Sequence, residues 1–369
     1  MSKGPELSVL NRTCVLFEGR QYLFFGGNDY HRLASHPDVV AACRGQAEAG
    51  GLTCSGSRTT TGNHPLFEEL EEKLAGFLGA ERATLCADGY LSNTVVLEAL
   101  AGKHHRVFLD SAAHVSMSGP ARCLFPGRAH AFQHAEPDDL ARQLHAHLQP
   151  GEKPLVLADG VAAADGGLGP LREYWEAVES SGGLLVVDDA HGMATVGPNG
   201  RGSPAEAGLP PDAFVQTATL SKALGAFGGL AAGPSWISER VLERSAAYVG
   251  STPVPPPLAA AAIRSIRILQ EHPEMIRGLR DRTATVRVRL NAMGFHAGSS
   301  PAPIISVTHG NAERNERLRE ILLSSGVYVP LIRDYPGSPP GGHFRLTLSS
   351  VHTDDHVERL LDAIAQSCR

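Results

Sequence analysis

The chain has 369 residues, 42% of them apolar, and a formal net charge of −6. That is ample apolar material, in a chain too long for one small core. No Lys/Arg run or basic stripe occurs, which argues against a nucleic-acid partner, and the apolar stretches are too short for a transmembrane helix.

The opening Met1-Ser2-Lys3-Gly4-Pro5-Glu6 lacks the apolar segment of a secretory signal, so a cytoplasmic protein is expected. Cys14, Cys43, Cys54, Cys86, Cys123 and Cys368 are scattered without a CxxC pair or zinc spacing. Of the 17 histidines, the pair His104-His105 and most others lie in polar, loop-like stretches without i, i+4 ligand spacing. Reduced thiols and no metal site are expected.

In chain order, residues 6–26 alternate polar and apolar, as a hairpin or extended arm, and residues 26–30 form a turn. A short helix is expected over 37–45. Residues 50–63 are small, polar and aperiodic, which suits a ligand-wrapping loop. The helix that follows from Pro65 sets Leu66, Leu70, Leu74, Phe77 and Leu78 on one face. From 82 to 235 strands alternate with helices. Strands are expected at 83–86, 106–109, 154–157, 184–187, 214–218 and 229–232, with helices at 91–100, 114–119, 138–147, 171–180 and 237–247. This rhythm implies an α/β fold with a mostly parallel central sheet and helices on both faces. The run Thr252-Pro253-Val254-Pro255-Pro256-Pro257 breaks the pattern. A long helical stretch over 258–290 follows. Strands near 304–307, 327–329 and 344–348 and a helix over 353–365 complete a small α+β unit. The expected division is an N-terminal arm at 1–40, a large domain at 41–250 and a small domain at 251–369.

Two segments carry the chemistry. Leu184-Leu185-Val186-Val187-Asp188-Asp189-Ala190-His191-Gly192 and Thr217-Ala218-Thr219-Leu220-Ser221-Lys222-Ala223-Leu224-Gly225 each read as a buried strand ending in polar residues. Ligands collect at the carboxyl ends of parallel strands, so an acid, an imidazole and a lysine reach one crevice. An acid that holds a pyridinium proton and an amine that forms a Schiff base are what pyridoxal phosphate (PLP) chemistry requires. Each residue also has a plainer reading. Ser221 could simply cap a helix beginning at Lys222, Asp188 could cap the next helix, and a lone His191 could be structural. The Asp-x-x-His spacing, with Lys222 after the next strand, favours the catalytic reading. His191 could then bond the cofactor's phenolic oxygen or its imine.

Asp88-Gly89-Tyr90-Leu91-Ser92-Asn93 follows the first strand of the alternating region. Glycine there lets backbone N–H groups approach an anion, and the helix N-terminus favours a phosphate, with the Thr219 hydroxyl as a further donor. His114, just past the second strand, could stack on the cofactor ring. Arg345, in Arg345-Leu346-Thr347-Leu348, suits a clamp on an amino-acid carboxylate; otherwise it is a surface ion pair.

In combination and order these stretches resemble the α-oxoamine synthases, a group of fold-type-I PLP enzymes, from about Tyr22 to Ile364. The matching segments include Asn28-Asp29-Tyr30, Gly62-Asn63, Gly89-Tyr90 with Asn93, Asp110 with His114, Asp188-Asp189-Ala190-His191-Gly192, Thr219-Leu220-Ser221-Lys222, Ser251-Thr252 and Arg345-Leu346-Thr347-Leu348 with His352. The resemblance implies that Lys222 carries the cofactor, Asp188 faces its ring nitrogen, His191 its ring oxygen, and His114 stacks on the ring. It implies that Gly89, Tyr90 and Thr219 hold the phosphate, and that Asn28 and Arg345 hold the substrate carboxylate. Ser251 would reach the phosphate in the neighbouring subunit, so a homodimer with shared active sites is implied. The implied reaction condenses a small amino acid, L-alanine by preference, with an acyl thioester of coenzyme A or acyl-carrier protein, and loses CO2 to give an α-amino ketone. The alternatives are a member of the same group that takes glycine or serine, or an aminotransferase or aldolase on the same scaffold, and a non-catalytic paralogue is a third reading. Two departures stand out. The family's Val-Phe-Ser-Met-Asp-Gly is here Val161-Ala162-Ala163-Ala164-Asp165-Gly166, and its Leu-Gly after Asn-Asp-Tyr is His31-Arg32.

Overall fold

The structure, a computed structural model, describes residues 4–102, 106–333 and 338–368. The pair His104-His105 and residues 1–3 of the N-terminal segment lie outside the described residues.

The chain opens with an antiparallel arm, β1 (Ser8–Val9), β2 (Cys14–Phe17) and β3 (Arg20–Phe24). Two helices follow, α1 (Pro37–Gly50) and α2 (Pro65–Leu78), each with proline in its first turn. Proline is tolerated there because that N–H has no partner within the helix. The alternating region runs β4 (Arg82–Cys86), α3 (Gly89–Leu100), β5 (Arg106–Asp110), α4 (Val115–Leu124), β6 (Ala129–Phe132), α5 (Pro137–His147), β7 (Pro154–Asp159), α6 (Leu171–Glu179) and β8 (Leu184–Asp188). It continues through the short α7 (Ser203–Glu206), β9 (Phe214–Thr219), β10 (Gly229–Gly233), α8 (Ser235–Arg244) and α9 (Ala246–Val249). Then come α10 (Pro256–Glu271), α11 (Glu274–Ala292), β11 (Ile304–Val307), α12 (Ala312–Ser324), β12 (Val327–Tyr328), β13 (Leu331–Ile332), β14 (His343–Thr347) and α13 (Asp354–Gln366).

Seven strands form the central sheet in the order β4-β10-β9-β8-β7-β5-β6. All neighbours are parallel except β10, which runs antiparallel to both β4 and β9. The inner strands are buried on both faces and read as continuous apolar runs, as parallel strands between helical layers should. One layer packs Val95, Val96, Met117 and Val241 against Leu157 and Val186; the opposite layer packs Leu140, Leu144, Tyr174 and Val178 against Val156, Leu185 and Val187. Every strand expected from the sequence lies on or largely within an observed one. Strand β6 was not expected, because Ala129-His130-Ala131-Phe132 is an edge strand that buries only Phe132.

The helical stretch expected over 258–290 is two helices. His272, which precedes Pro273, sits at φ −126° and ψ 62° between α10 and α11. The proline ring disfavours helical geometry in the residue before it. Helix α10 packs along α1 and α2, and a three-stranded sheet in the order β11-β14-β13 carries Arg345. Strand β12 pairs in parallel with β3, which joins the first strands of the chain to the last. Among the described residues, no helix is long and apolar enough to cross a membrane.

Candidate active site

Because the inner strands are parallel, their acidic ends fall on one edge of the sheet. Asp110, Asp159 and Asp188 terminate β5, β7 and β8, and Thr219 terminates β9. Above them opens a cavity of about 730 Å³ lined by Asn28, Gly89, Tyr90, His114, Asp159, Ala163, Asp188, His191, Thr219, Lys222, His343 and Arg345, among others. Every residue singled out from the sequence lines this cavity except Ser251, whose hydroxyl donates to the Ala247 carbonyl (2.5 Å) outside it.

The anion cradle is built at the start of α3. The Asp88 side chain caps the helix by accepting from Leu91 N (2.8 Å). A Cβ on Gly89 would lie 2.6 Å from Thr219 Cβ and 2.8 Å from Thr219 Oγ1, so only glycine lets the two segments meet. Thr219 Oγ1 accepts from Ser221 N (3.1 Å), which orders the turn that presents Lys222. Past Lys222, Gly225 adopts φ +60°, and a Cβ there would stand 2.1 Å from Ala34 N, so the turn is pressed onto the N-terminal arm.

Lys222 is half-buried, and its Nζ lies 2.9 Å from His191 Nε2. Burial lowers its pKa to about 8, against the opposing charges of Asp188 and Asp159. His191 is held on its other face by Tyr30, Oη to Nδ1 at 2.5 Å. Burial, then the neighbouring Lys222, Arg345 and His114, push the imidazole pKa well down, so the ring is neutral.

Asp188 is oriented by a buried polar chain. Asn93 Nδ2 donates to Asp188 Oδ2 (2.7 Å) and to Ser116 Oγ (2.8 Å), while Thr217 Oγ1 donates to Asn93 Oδ1 (2.6 Å). Ser116 in turn meets His114 Nδ1 at 2.7 Å, so the acid and the expected stacking ring share one network. The neighbouring Asp189 points away from the cavity. It accepts from Ser203 Oγ and Gln216 Nε2, both at 2.6 Å, and burial raises its pKa to about 7.

On the facing wall, Arg345 Nε donates to the Ala163 carbonyl (2.6 Å) and Nη1 to Asn28 Oδ1 (3.0 Å). Ala163 brings no side-chain hydroxyl to the cavity. Asp159, Tyr30 and Asn93 were not singled out as site residues from sequence. Asp159 carried a signal of the same kind as Asp188, an apolar run closed by an aspartate. Tyr30 stood in the segment Asn28-Asp29-Tyr30 without a role, because its partner lies 161 positions away.

The profile of the aminotransferase class I and II family matches residues 20–364. A putative 8-amino-7-oxononanoate synthase from Desulforudis audaxviator is 37% identical over 98% of this chain and 93% of its own length. The 8-amino-7-oxononanoate synthase of Thioalkalivibrio sulfidiphilus is 37% identical over 95% and 90%. Among solved structures, the serine palmitoyltransferase of Sphingomonas wittichii superposes with a TM-score of 0.90 at 28% identity, covering 98% of this chain and 90% of that one. The S. paucimobilis serine palmitoyltransferase with a bound PLP–myriocin aldimine gives 0.89 at 28% identity, over 98% and 90%. The chain belongs to the aminotransferase class I and II family and, within it, to the α-oxoamine synthases, fold-type-I PLP-dependent acyltransferases.

The residues present fit that cofactor. A half-buried lysine amine with a lowered pKa, partnered by a neutral imidazole, is poised to react with an aldehyde. A carboxylate stands in the same cavity for a ring nitrogen, and a glycine-lined helix start stands ready for a phosphate.

Proposed function

We propose that this chain condenses a small amino acid, L-alanine by preference, with an acyl thioester of coenzyme A or acyl-carrier protein, releasing CO2 and an α-amino ketone. Its named relatives point to 8-amino-7-oxononanoate synthesis, a step toward biotin. The observation that carries the reading is the convergence of Lys222, His191, Asp188 and Arg345 on one cavity.

When bound, PLP supplies an electron sink for a carbanion at the amino acid's α-carbon. Asp188 would hold a proton at the ring nitrogen and so keep the ring cationic. Gly89, Tyr90 and Thr219 would bind the phosphate, and His114 would stack on the ring. Arg345 and Asn28 would grip the substrate carboxylate and present the α-hydrogen to Lys222. The Lys222 amine, made neutral near pH 8 by burial, would take that proton. His191 would hold its Nε2 against the reacting nitrogen or the ring oxygen. The family serine missing at Ala163 removes one hydroxyl partner, worth on the order of 1 kcal/mol, so binding would survive its loss.

We also infer a cytoplasmic homodimer with shared sites, divided into an arm (1–40), a large domain (41–250) and a small domain (251–369). Tyr90 and Phe227, at the cavity rim, are 54% and 48% exposed, which supports a second subunit covering them. Ser251 would then serve the cofactor phosphate of that second subunit.

The test is direct. Purified protein with PLP, pimeloyl-CoA or pimeloyl-carrier protein and L-alanine, glycine or L-serine should release free thiol and CO2 in equal amounts, fastest with alanine. Amino transfer to a keto acid without thiol release would establish the aminotransferase reading instead.

A further inference from the structure

We propose that Tyr30 is a positioning residue that fixes the His191 imidazole with its Nε2 hydrogen toward Lys222. The inference rests on the reading of Lys222 as the proton acceptor.

Tyr30 is fully buried in the turn after β3. Its carbonyl accepts from Ser350 N (2.9 Å), beyond β14, and its hydroxyl reaches His191 Nδ1 at 2.5 Å, beyond β8. One residue therefore links the segment beyond β14 to the loop beyond β8. The phenol stays protonated, since burial pushes its pKa up to about 12. His191 Nδ1 is the acceptor within reach, and a buried hydroxyl hydrogen left unpaired would be costly. Tyr30 therefore donates to Nδ1. In a neutral ring the other nitrogen then carries the hydrogen, so Nε2–H faces Lys222 Nζ.

This orientation favours the neutral amine, because Nε2–H can donate to the lone pair of an unprotonated nitrogen and only opposes an ammonium. With the opposite tautomer Nε2 would accept, and the protonated nitrogen would be favoured. Five groups face this pair and set its background field: Asp188 from β8, Asp159 from β7, His114 ahead of α4, Arg345 from β14 and Tyr30 itself.

The experiment compares wild type, Tyr30→Phe, His191→Asn and the double variant, each loaded with PLP, by pH titration of the visible absorbance of the bound cofactor. Tyr30→Phe should raise the midpoint by about half a pH unit or more, roughly threefold in proton affinity. It should lower kcat about 10- to 100-fold while leaving KM for the amino acid nearly unchanged. In the His191→Asn background the same change should do nothing further, since Tyr30 acts through that ring. An unmoved midpoint, or an equal shift in both backgrounds, overturns the proposal. Site-specific 3-fluorotyrosine at position 30 guards against a folding defect: it keeps the shape and strengthens the donor, so the midpoint should fall, and a rise overturns the proposal as well. A shifted midpoint in a protein that releases no thiol would count against the proposed reaction and leave the role of Tyr30 standing.

Discussion

Asp159 and Asp188 stand opposite each other as the last paired residues of the parallel strands β7 and β8. Burial first, then the charge of Asp188, raises the Asp159 pKa to about 8, while the His114 backbone N–H (3.1 Å) works the other way. At neutral pH the folded protein therefore holds a proton on Asp159.

This has a measurable consequence for stability. Folded protein binds a proton at Asp159 that the unfolded chain, with an ordinary carboxyl near pH 4, releases. The stabilising contribution is complete below about pH 4 and is lost as pH rises through about 8. Urea unfolding of the cofactor-free protein should show Asp159→Asn losing less stability than wild type between pH 5 and pH 8.5. Equal losses would show that Asp159 is ionised in the folded state.

Lys222 has the opposite sign. Its pKa is depressed to about 8, so the unfolded chain binds the extra proton between about 8 and 10.5, and stability gains from this residue as pH rises across that window. In turnover, kcat should fall as pH drops through about 8, where the amine becomes protonated. Lys222→Ala should abolish turnover, and borohydride reduction followed by mass spectrometry should find no cofactor attached at position 222.

Arg345→Gln keeps a donor at the cavity wall and removes the charge. Loss of a charge-assisted contact to a carboxylate amounts to about 1.5–3 kcal/mol. kcat/KM for the amino acid should fall about 10- to 100-fold, expressed mainly in KM, with the cofactor's affinity unchanged. Steady-state kinetics at varied amino acid, with the acyl donor saturating, checks this.

Gly89→Ala forces a methyl into contact with the Thr219 side chain. The start of α3 and the end of β9 must separate, which would displace the donors proposed for the phosphate. The dissociation constant for PLP, read by fluorescence quenching, should rise by about tenfold or more, which is about 1.4 kcal/mol. Lys222 reactivity toward free pyridoxal, which has no phosphate, should be little altered.

The parts of this site written in short segments were legible in the sequence. Asp188, His191, Lys222 and Thr219 each follow an apolar run within a few residues, and parallel-sheet geometry brings such ends together. Gly89 was legible for the same reason. Tyr30 and Asn93 were not, because their meaning lies in partners 161 and 95 positions away. Strand β6 escaped because an edge strand that buries one side chain carries no apolar pattern. The division of the 258–290 stretch could have been read at His272-Pro273, but the helical periodicity on either side masked it.

The parallel pairing of β3 with β12 joins Leu23 to Val327, about 300 residues apart. The arm that carries Asn28 and Tyr30 meets His191 and the turn at Gly225, but its strand β3 gains its parallel partner only once β12 has been made. A polypeptide ending before β12 would also lack β14 and with it Arg345, so the wall that faces Lys222 would be missing, and completion of the crevice is a late event in the birth of the molecule.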